Sequence, residues 1–249
     1  MTPTALVTNV TGFAGPPAAD ALRDAGLRVL VHDDAFADPA AWRAFAAAHP
    51  GLEPVAADSP PALIAAAWAI AGRVDALVSN DHFPAFHGPT EMAPLPVLRD
   101  TLDSLLIRPF ALLQAAIPRL KAQGGGNVVM ITSNRTRLPQ PGGAIPDVAR
   151  AGVNALMRSL AIELAADDIA VNAVAPNFLY SEAYYPRAVF IDSAEGRAFV
   201  ERNVPAHRLG KPEEIGEVIR FLATTRARFL TGALIDFSGG WPAAPERPG

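Results

Sequence analysis

The sequence predicts an α/β fold, in which one doubly wound parallel sheet of about seven strands carries helices on both faces. Short apolar runs rich in β-branched residues alternate with helical patterns along the whole 249-residue chain, as expected of βαβ units. Half of the residues are apolar, which is enough for a core between the sheet and two helical layers. No internal repeat or linker interrupts the pattern, so residues 1–249 are expected to form a single domain.

The elements follow in chain order. The predicted strands are short apolar runs, most of them bounded by turn residues, and they cover residues 5–7, 27–31, 53–56, 76–78, 128–131, 169–174 and 233–237. Helical patterns cover residues 16–25, 40–48, 61–71, 95–120 and 213–224, and a further helix starts near Pro146. A break is expected at Pro109, because proline removes a backbone donor. Residues 178–200 lack strong periodicity, hold all three tyrosines, and are predicted to lie over the cleft.

Composition excludes several classes of function. The formal charge of −4 has no basic cluster, which argues against a nucleic-acid partner. No apolar run reaches the roughly 18 residues of a membrane span, and the first ten residues look like a strand rather than a secretory signal, so we expect a cytoplasmic protein. The chain has no cysteine, and His82, His87 and His207 lack the spacing of metal ligands, so no metal site is predicted.

The most informative stretch is residues 126–164. A buried strand is followed directly by Ser133, and the next helix carries Arg150 in its first turns. Small-molecule sites in open parallel sheets lie beyond the carboxyl ends of the strands. A buried guanidinium without a partner is costly, so Arg150 is interpreted as lining a cleft together with the Ser133 hydroxyl.

The order of these motifs resembles the short-chain dehydrogenase/reductase family, which has a Rossmann-like fold, over nearly the whole chain. That family's first turn, TGxxxGxG, lets the backbone approach a dinucleotide pyrophosphate. Here the turn reads TNVTGFAG over residues 8–15, and the bulky Phe13 is expected to obstruct the cofactor. Asp33 and Asp34 occupy the position of a ribose-binding acid, but with this degraded turn we interpret them as structural. No cofactor is predicted.

The altered turn is similar to that of the halohydrin dehalogenases, the cofactor-independent branch of the same fold. The resemblance extends to VSND (78–81), IRPFAL (107–112), ITS (131–133) and the stretch PNFL (176–179). It implies a halide-binding nest where the nicotinamide would lie, formed by Phe13, Pro176, Asn177, Phe178, Leu179 and Tyr185. Backbone N–H groups and positive aromatic edges suit a weakly hydrated anion. Asp81 has two interpretations, a supporting role in the site and simple acceptance of turn hydrogen bonds.

The catalytic pattern of the resembled family is broken at one position. Its set is Ser, Tyr thirteen residues later, and Arg four residues after that, and counting from Ser133 reaches Arg150 correctly but puts Pro146 at the Tyr position. Loss of a general base typically lowers the rate about 10²–10⁴-fold. Asp147 is a candidate substitute, although its position three residues before Arg150 favours an ion pair with that residue. A tyrosine from residues 178–200 is a second candidate.

Three functions are therefore predicted as alternatives. The first is a halohydrin dehalogenase-like lyase that converts vicinal haloalcohols to epoxides and halide, and opens epoxides with small anions, impaired or using another base. The second is a catalytically silent relative that binds anions or small molecules. The third is an NAD(P)-dependent oxidoreductase, which Phe13 and the missing Tyr oppose. The resemblance also implies a homotetramer formed through the long helices of residues 95–120 and 150–164 and the last strand.

Overall fold

The structure, a computed structural model, describes residues 2–243. It contains one all-parallel sheet in the order β3-β2-β1-β4-β5-β6-β7, which confirms the predicted fold class. The strands are β1 Thr4–Val7, β2 Arg28–Val31, β3 Glu53–Pro54, β4 Ala76–Asn80, β5 Gly126–Ile131, β6 Ile169–Pro176 and β7 Leu234–Phe237.

Helices connect consecutive strands. They are α1 Gly15–Asp24, α2 Pro39–Ala48, α3 Pro60–Ala71, α4 Leu95–Leu102, α5 Arg108–Ala122, α6 Ala144–Leu164, α7 Arg187–Phe190, α8 Ala194–Asn203 and α9 Pro212–Thr224. None of the helices in residues 2–243 is long and apolar enough to cross a membrane.

The predicted helix over residues 95–120 is interrupted, as its proline suggested. Between α4 and α5 the chain makes one π-helical turn, Asp103–Ile107, and Pro109 occupies the second position of α5. A proline at that position has no N–H to offer to the preceding turn, so the local hydrogen-bonding pattern widens before the regular helix resumes. Such turns often lie near functional sites, and Leu105 of this turn lines the cavity described below.

The core has two layers because strand side chains alternate between the faces of the sheet. Leu6 of β1 packs on one face with residues of α3, α5 and α6. Its neighbours Ala5 and Val7 pack on the other face with residues of α1 and α9. Helices cover both faces of the sheet, which explains why the strand sequences are continuous apolar runs rather than alternating apolar and polar residues.

The sheet order brings four loops together at the carboxyl edge. Strands β1, β4, β5 and β6 are neighbours in that order, so the turn of residues 8–15, Asp81, Ser133 and Asn177 follow adjacent strands. The chain reverses its winding between β1 and β4, since β2 lies on one side of β1 and β4 on the other. Ligands bind at such a switch point in open α/β sheets.

Candidate active site

A cavity of about 280 Å³ opens at this edge of the sheet. Nine positions singled out in the sequence line it together, and they come from four separate parts of the chain: Phe13, Ser133, Pro146, Arg150, Pro176, Asn177, Phe178, Leu179 and Tyr185. Its volume suits a small organic molecule rather than a dinucleotide, because drug-sized ligands already fill about 300 Å³ or more.

Arg150 contributes a buried positive charge. It is 4% exposed, and its Nη1 donates to the carbonyl oxygens of Asp81 at 3.1 Å and Ile131 at 3.4 Å. Neither acceptor is a carboxylate, so the guanidinium is held by main-chain oxygens and keeps its net charge. A cation at this depth favours negative charge on any bound group.

Ser133 lies where β5 ends, and its hydroxyl is held in a turn. Its Oγ donates to the carbonyl of Pro176 at 3.2 Å and accepts from the backbone N–H of Arg135 at 3.2 Å. The side-chain amide of Asn154 donates to the Ser133 carbonyl at 3.0 Å. The hydroxyl is thus fixed in position, with a donor hydrogen that can turn from Pro176 to a ligand oxygen.

The Tyr position of the resembled family holds no phenol here. Pro146 is the third residue of α6, where a missing N–H costs nothing, and its ring is buried and lines the cavity. Asp147 forms an ion pair, but with Arg135 rather than with the expected Arg150. Because Arg150 faces main-chain carbonyls beneath the sheet edge, the Asp147 carboxylate turns instead to the loop after β5. Asp147 is not among the residues that line the cavity.

Asn177 is oriented by its two neighbours. Its Oδ1 accepts from the N–H of Phe178 at 3.0 Å and from the hydroxyl of Tyr185 at 2.6 Å. Both donors point at the oxygen, so the amide nitrogen is left to present its N–H groups to the cavity. Burial raises the pKa of Tyr185 to about 12, and therefore Tyr185 is poorly suited to act as the substitute base.

Two aromatic residues at the cavity have left-handed backbone conformations. Phe13 has φ 54° and Phe178 has φ 54°, a region that bulky residues rarely adopt and that often marks functional sites. The Phe13 ring meets the edge of Tyr184 at a centroid distance of 5.1 Å. The hydroxyl of Tyr184 in turn donates to the Phe83 carbonyl at 2.8 Å and accepts from the Phe83 N–H at 3.0 Å.

The first turn does not fit a dinucleotide. Asp33, at the position of a ribose-binding acid, accepts from the N–H and the hydroxyl of Thr11 at 3.0 and 2.7 Å. The Asn80 amide donates to the carbonyls of Asn9 and Gly12 at 2.8 and 2.9 Å. The adjoining cavity, lined in part by Thr8, holds only about 30 Å³, room for one or two waters. Phe13, in the same turn, lines the larger cavity.

Asp81 supports the site from behind rather than lining it. Its carboxylate accepts from the hydroxyl of Ser79 at 2.6 Å and from the amide of Asn9 at 3.2 Å, while its carbonyl binds Arg150. Burial raises its pKa from 3.8 to about 6, against the opposing hydrogen bond from Ser79 and the nearby charges of Arg150 and Arg108. Asp81 thus accepts hydrogen bonds from two side chains and, through its carbonyl oxygen, binds Arg150, and its supporting role in catalysis stays a prediction.

The raised pKa of Asp81 predicts a pH-dependent stability. The folded protein holds this proton more tightly than the unfolded chain does, so the stability that Asp81 contributes is fully present below the unfolded pKa of 3.8 and is lost as pH rises through about 6. Across this range we expect the unfolding free energy of the unmodified protein to fall by about 3 kcal/mol relative to Asp81→Asn. Urea denaturation at several pH values measures this difference, and a difference independent of pH would contradict it.

Several residues that line the cavity were not predicted from the sequence as site residues, and three of them bear on its chemistry. Tyr184 braces Phe13, Arg135 adds a second guanidinium, and His87 places an imidazole at the mouth of the cavity. His87 is exposed. No local pattern marks these residues, because each reaches the cavity through the folding of a loop rather than through the end of a strand.

Comparison with known proteins adds family relationships to this geometry. Residues 14–242 match the family model described as enoyl-(acyl carrier protein) reductase. Dehydrogenase/reductase SDR family member 4 of Homo sapiens is 31% identical over 181 residues, which cover 73% of this chain and 64% of that protein. Cis-4-hydroxycyclohexanecarboxylate dehydrogenase of Sinomonas cyclohexanicum is 32% identical over 244 residues, covering 96% of each chain.

Among solved structures, the chain is similar to a halohydrin dehalogenase (HheC) bound to ethyl (2S)-oxiran-2-ylacetate. The TM-score is 0.94 and the sequences are 36% identical, with 99% of this chain and 100% of that chain covered. The curated relatives named above are oxidoreductases by description, whereas this structural neighbour is a dehalogenase that holds an epoxide. The overall fold is therefore common to both activities, and the site must distinguish them.

Proposed function

This chain belongs to the short-chain dehydrogenase/reductase superfamily, and we propose that within it the protein is a cofactor-independent, halohydrin dehalogenase-like lyase. The proposed substrate is a vicinal haloalcohol. Its hydroxyl loses a proton, the oxygen attacks the neighbouring carbon, and the carbon–halogen bond breaks to give an epoxide and a halide ion. The reverse reaction opens an epoxide with a small anion.

One observation carries this proposal: a single small cavity unites a buried cation, a fixed hydroxyl and an amide set among aromatic rings. Arg150 stabilises the developing alkoxide, and Ser133 donates its hydroxyl hydrogen to the same oxygen. Asn177 offers its N–H groups to the departing halide beside the Phe13 and Tyr185 rings. Preorganised donors of this kind act most strongly where charge develops during the reaction.

The first turn favours the lyase over the oxidoreductase alternative. A hydride acceptor must lie against the substrate, yet Phe13 and Tyr184 fill that space. The Asp33 carboxylate, which would otherwise bind a ribose hydroxyl, accepts hydrogen bonds from the N–H and the hydroxyl of Thr11. These contacts oppose a nicotinamide cofactor on this chain, although relatives with the same fold are described as dehydrogenases.

Pro146 favours the second alternative, a silent relative that retains the anion pocket. The candidate substitutes Asp147 and Tyr185 are engaged with Arg135 and Asn177 respectively. Proton removal then depends on solvent or on His87, whose imidazole lines the cavity and is a side chain that commonly serves as a general base. We therefore propose a slow lyase and expect catalysis to be limited by this step.

The proposed assembly is a homotetramer, as the resemblance implies. Apolar side chains stay exposed on the long helices, with Phe110 on α5 at 48% and Ile162 on α6 at 83%. Large contiguous apolar patches mark protein–protein contacts, and we expect these side chains to belong to such a patch.

Halide release from a vicinal chloroalcohol without added cofactor tests the function. We expect slow release, with epoxide formed in equal amount, and no enhancement of NADH or NADPH fluorescence on addition of the protein. Fluorescence enhancement together with cofactor-dependent oxidation of an alcohol would overturn the proposal in favour of the oxidoreductase. Absence of both activities, with bromide still raising the melting temperature, would identify the silent relative.

A further inference from the structure

The cavity is lined by positive charge alone. Arg135, Arg150 and His87 are its ionisable basic groups, and none of the described residues that line it carries a carboxyl group. In the proposed reaction, Arg150 stabilises the negative charge that develops on the reacting oxygen. Arg135 has no task in the proposed reaction, although a guanidinium in a small cavity is a strong determinant of ligand charge.

The chain holds Arg135 firmly in place. Its backbone N–H donates to Ser133 Oγ at 3.2 Å, so the residue begins its turn directly beside the reacting hydroxyl. Its Nε donates to the Asp147 carboxylate, and its side chain is 21% exposed. A Cβ atom on Gly143 would lie 2.6 Å from Arg135 Nη2 and 3.2 Å from Asp147 Oδ2, so this glycine leaves the space that the ion pair occupies.

The ion pair leaves part of the guanidinium available. The Asp147 carboxylate, which does not line the cavity, accepts from Arg135 Nε. Arg135 Nη1 and Nη2 donate to no acceptor within residues 2–243. Neither of these two nitrogens is completely buried, so both are accessible to a ligand. Two parallel N–H donors match the two oxygens of a carboxylate.

We infer that Arg135 forms a carboxylate subsite, so that the substrate is an anionic haloalcohol or epoxide acid. This inference rests on the proposed function and specifies its substrate class. The carboxylate binds the terminal nitrogens of Arg135, the hydroxyl lies between Ser133 and Arg150, and the halogen points to Asn177. The solved dehalogenase holds the ester ethyl (2S)-oxiran-2-ylacetate, and the corresponding free acid supplies a matched pair that differs only in charge.

The test compares 4-chloro-3-hydroxybutanoate, which closes to that epoxide acid, with its ethyl ester. For the unmodified protein we expect kcat/KM to favour the acid. Arg135→Gln should lower kcat/KM for the acid roughly 10- to 100-fold, mainly through KM, because a charge-assisted hydrogen bond is lost, and should lower kcat/KM for the uncharged ester much less. Arg137→Gln is the matched control, since Arg137 pairs with Asp236 and does not line the cavity. Equal loss for acid and ester would overturn the subsite.

A binding measurement separates this inference from the proposed lyase activity. We expect calorimetry to show binding of 3-hydroxybutanoate to the unmodified protein and none to Arg135→Gln, with bromide binding retained in both. This result without any halide release would keep the subsite and reject the lyase. No binding, or binding that survives Arg135→Gln, would overturn the subsite. Because Arg135→Gln leaves Asp147 without its partner, Arg135→Gln/Asp147→Asn provides a second, charge-balanced variant for the same measurement.

Discussion

Pro146→Tyr is expected to raise the rate of halide release by about 10²–10⁴-fold, the usual contribution of a positioned general base. Pro146 lies in the first turn of α6, is buried and lines the cavity. Arg150 lies one helical turn further on, so a phenol at position 146 shares a helix face with the guanidinium. The cation lowers the pKa of the introduced phenol and makes phenolate accessible near neutral pH.

The measurement is initial-rate halide release for the unmodified protein, Pro146→Tyr and the control Pro146→Phe. The Phe variant has the same ring without a hydroxyl, so it reports the effect of filling the cavity. Circular dichroism and the melting temperature establish that each variant is folded. A folded Pro146→Tyr protein no faster than Pro146→Phe would show that Ser133, Pro146 and Arg150 do not form the assigned site.

Arg150→Gln is expected to remove most of this gain when it is combined with Pro146→Tyr. Without the guanidinium the phenol returns towards its ordinary pKa of about 10, so at neutral pH the rate falls about 10²-fold or more, and less at high pH. The change also weakens the hydrogen bonds to the carbonyls of Asp81 and Ile131, and each buried acceptor left unpaired costs roughly 1–3 kcal/mol of stability.

The pH–rate profiles of the single and double variants check this expectation. A gain that persists unchanged at neutral pH in Pro146→Tyr/Arg150→Gln would contradict the role of Arg150. Arg137→Gln in the same background is the control, because it removes a surface guanidinium paired with Asp236 and leaves the cavity intact. Glutamine keeps one donor for the main-chain carbonyls, which limits the loss of folded protein.

The fold could be predicted because its determinants are local. Seven short strand-like runs separated by helical patterns specify a parallel sheet, and the order of the chain constrains which strand ends are neighbours. For the same reason, residues that directly follow strands were found: Ser133 after β5 and Asn177 after β6 both line the cavity. Arg150 was found because a lone guanidinium on an otherwise apolar helix face requires an explanation.

The partners of these residues could not be predicted from spacing. Asp147 was expected to pair with Arg150 but pairs with Arg135, since the path of the loop after β5 decides which guanidinium comes within reach. Tyr184 reaches Phe13 from residues far away in the sequence, in a segment without regular periodicity. Such contacts depend on loop conformation, which no helical or strand period determines.

The most direct test of the central claim is halide release from a vicinal chloro- or bromoalcohol by the unmodified protein in the absence of any nicotinamide cofactor. The proposed site predicts slow release above the uncatalysed rate, matched mole for mole by epoxide and inhibited by added bromide. Release at the uncatalysed rate from both the unmodified protein and a folded Pro146→Tyr variant would contradict the assignment of this cavity as a dehalogenase site.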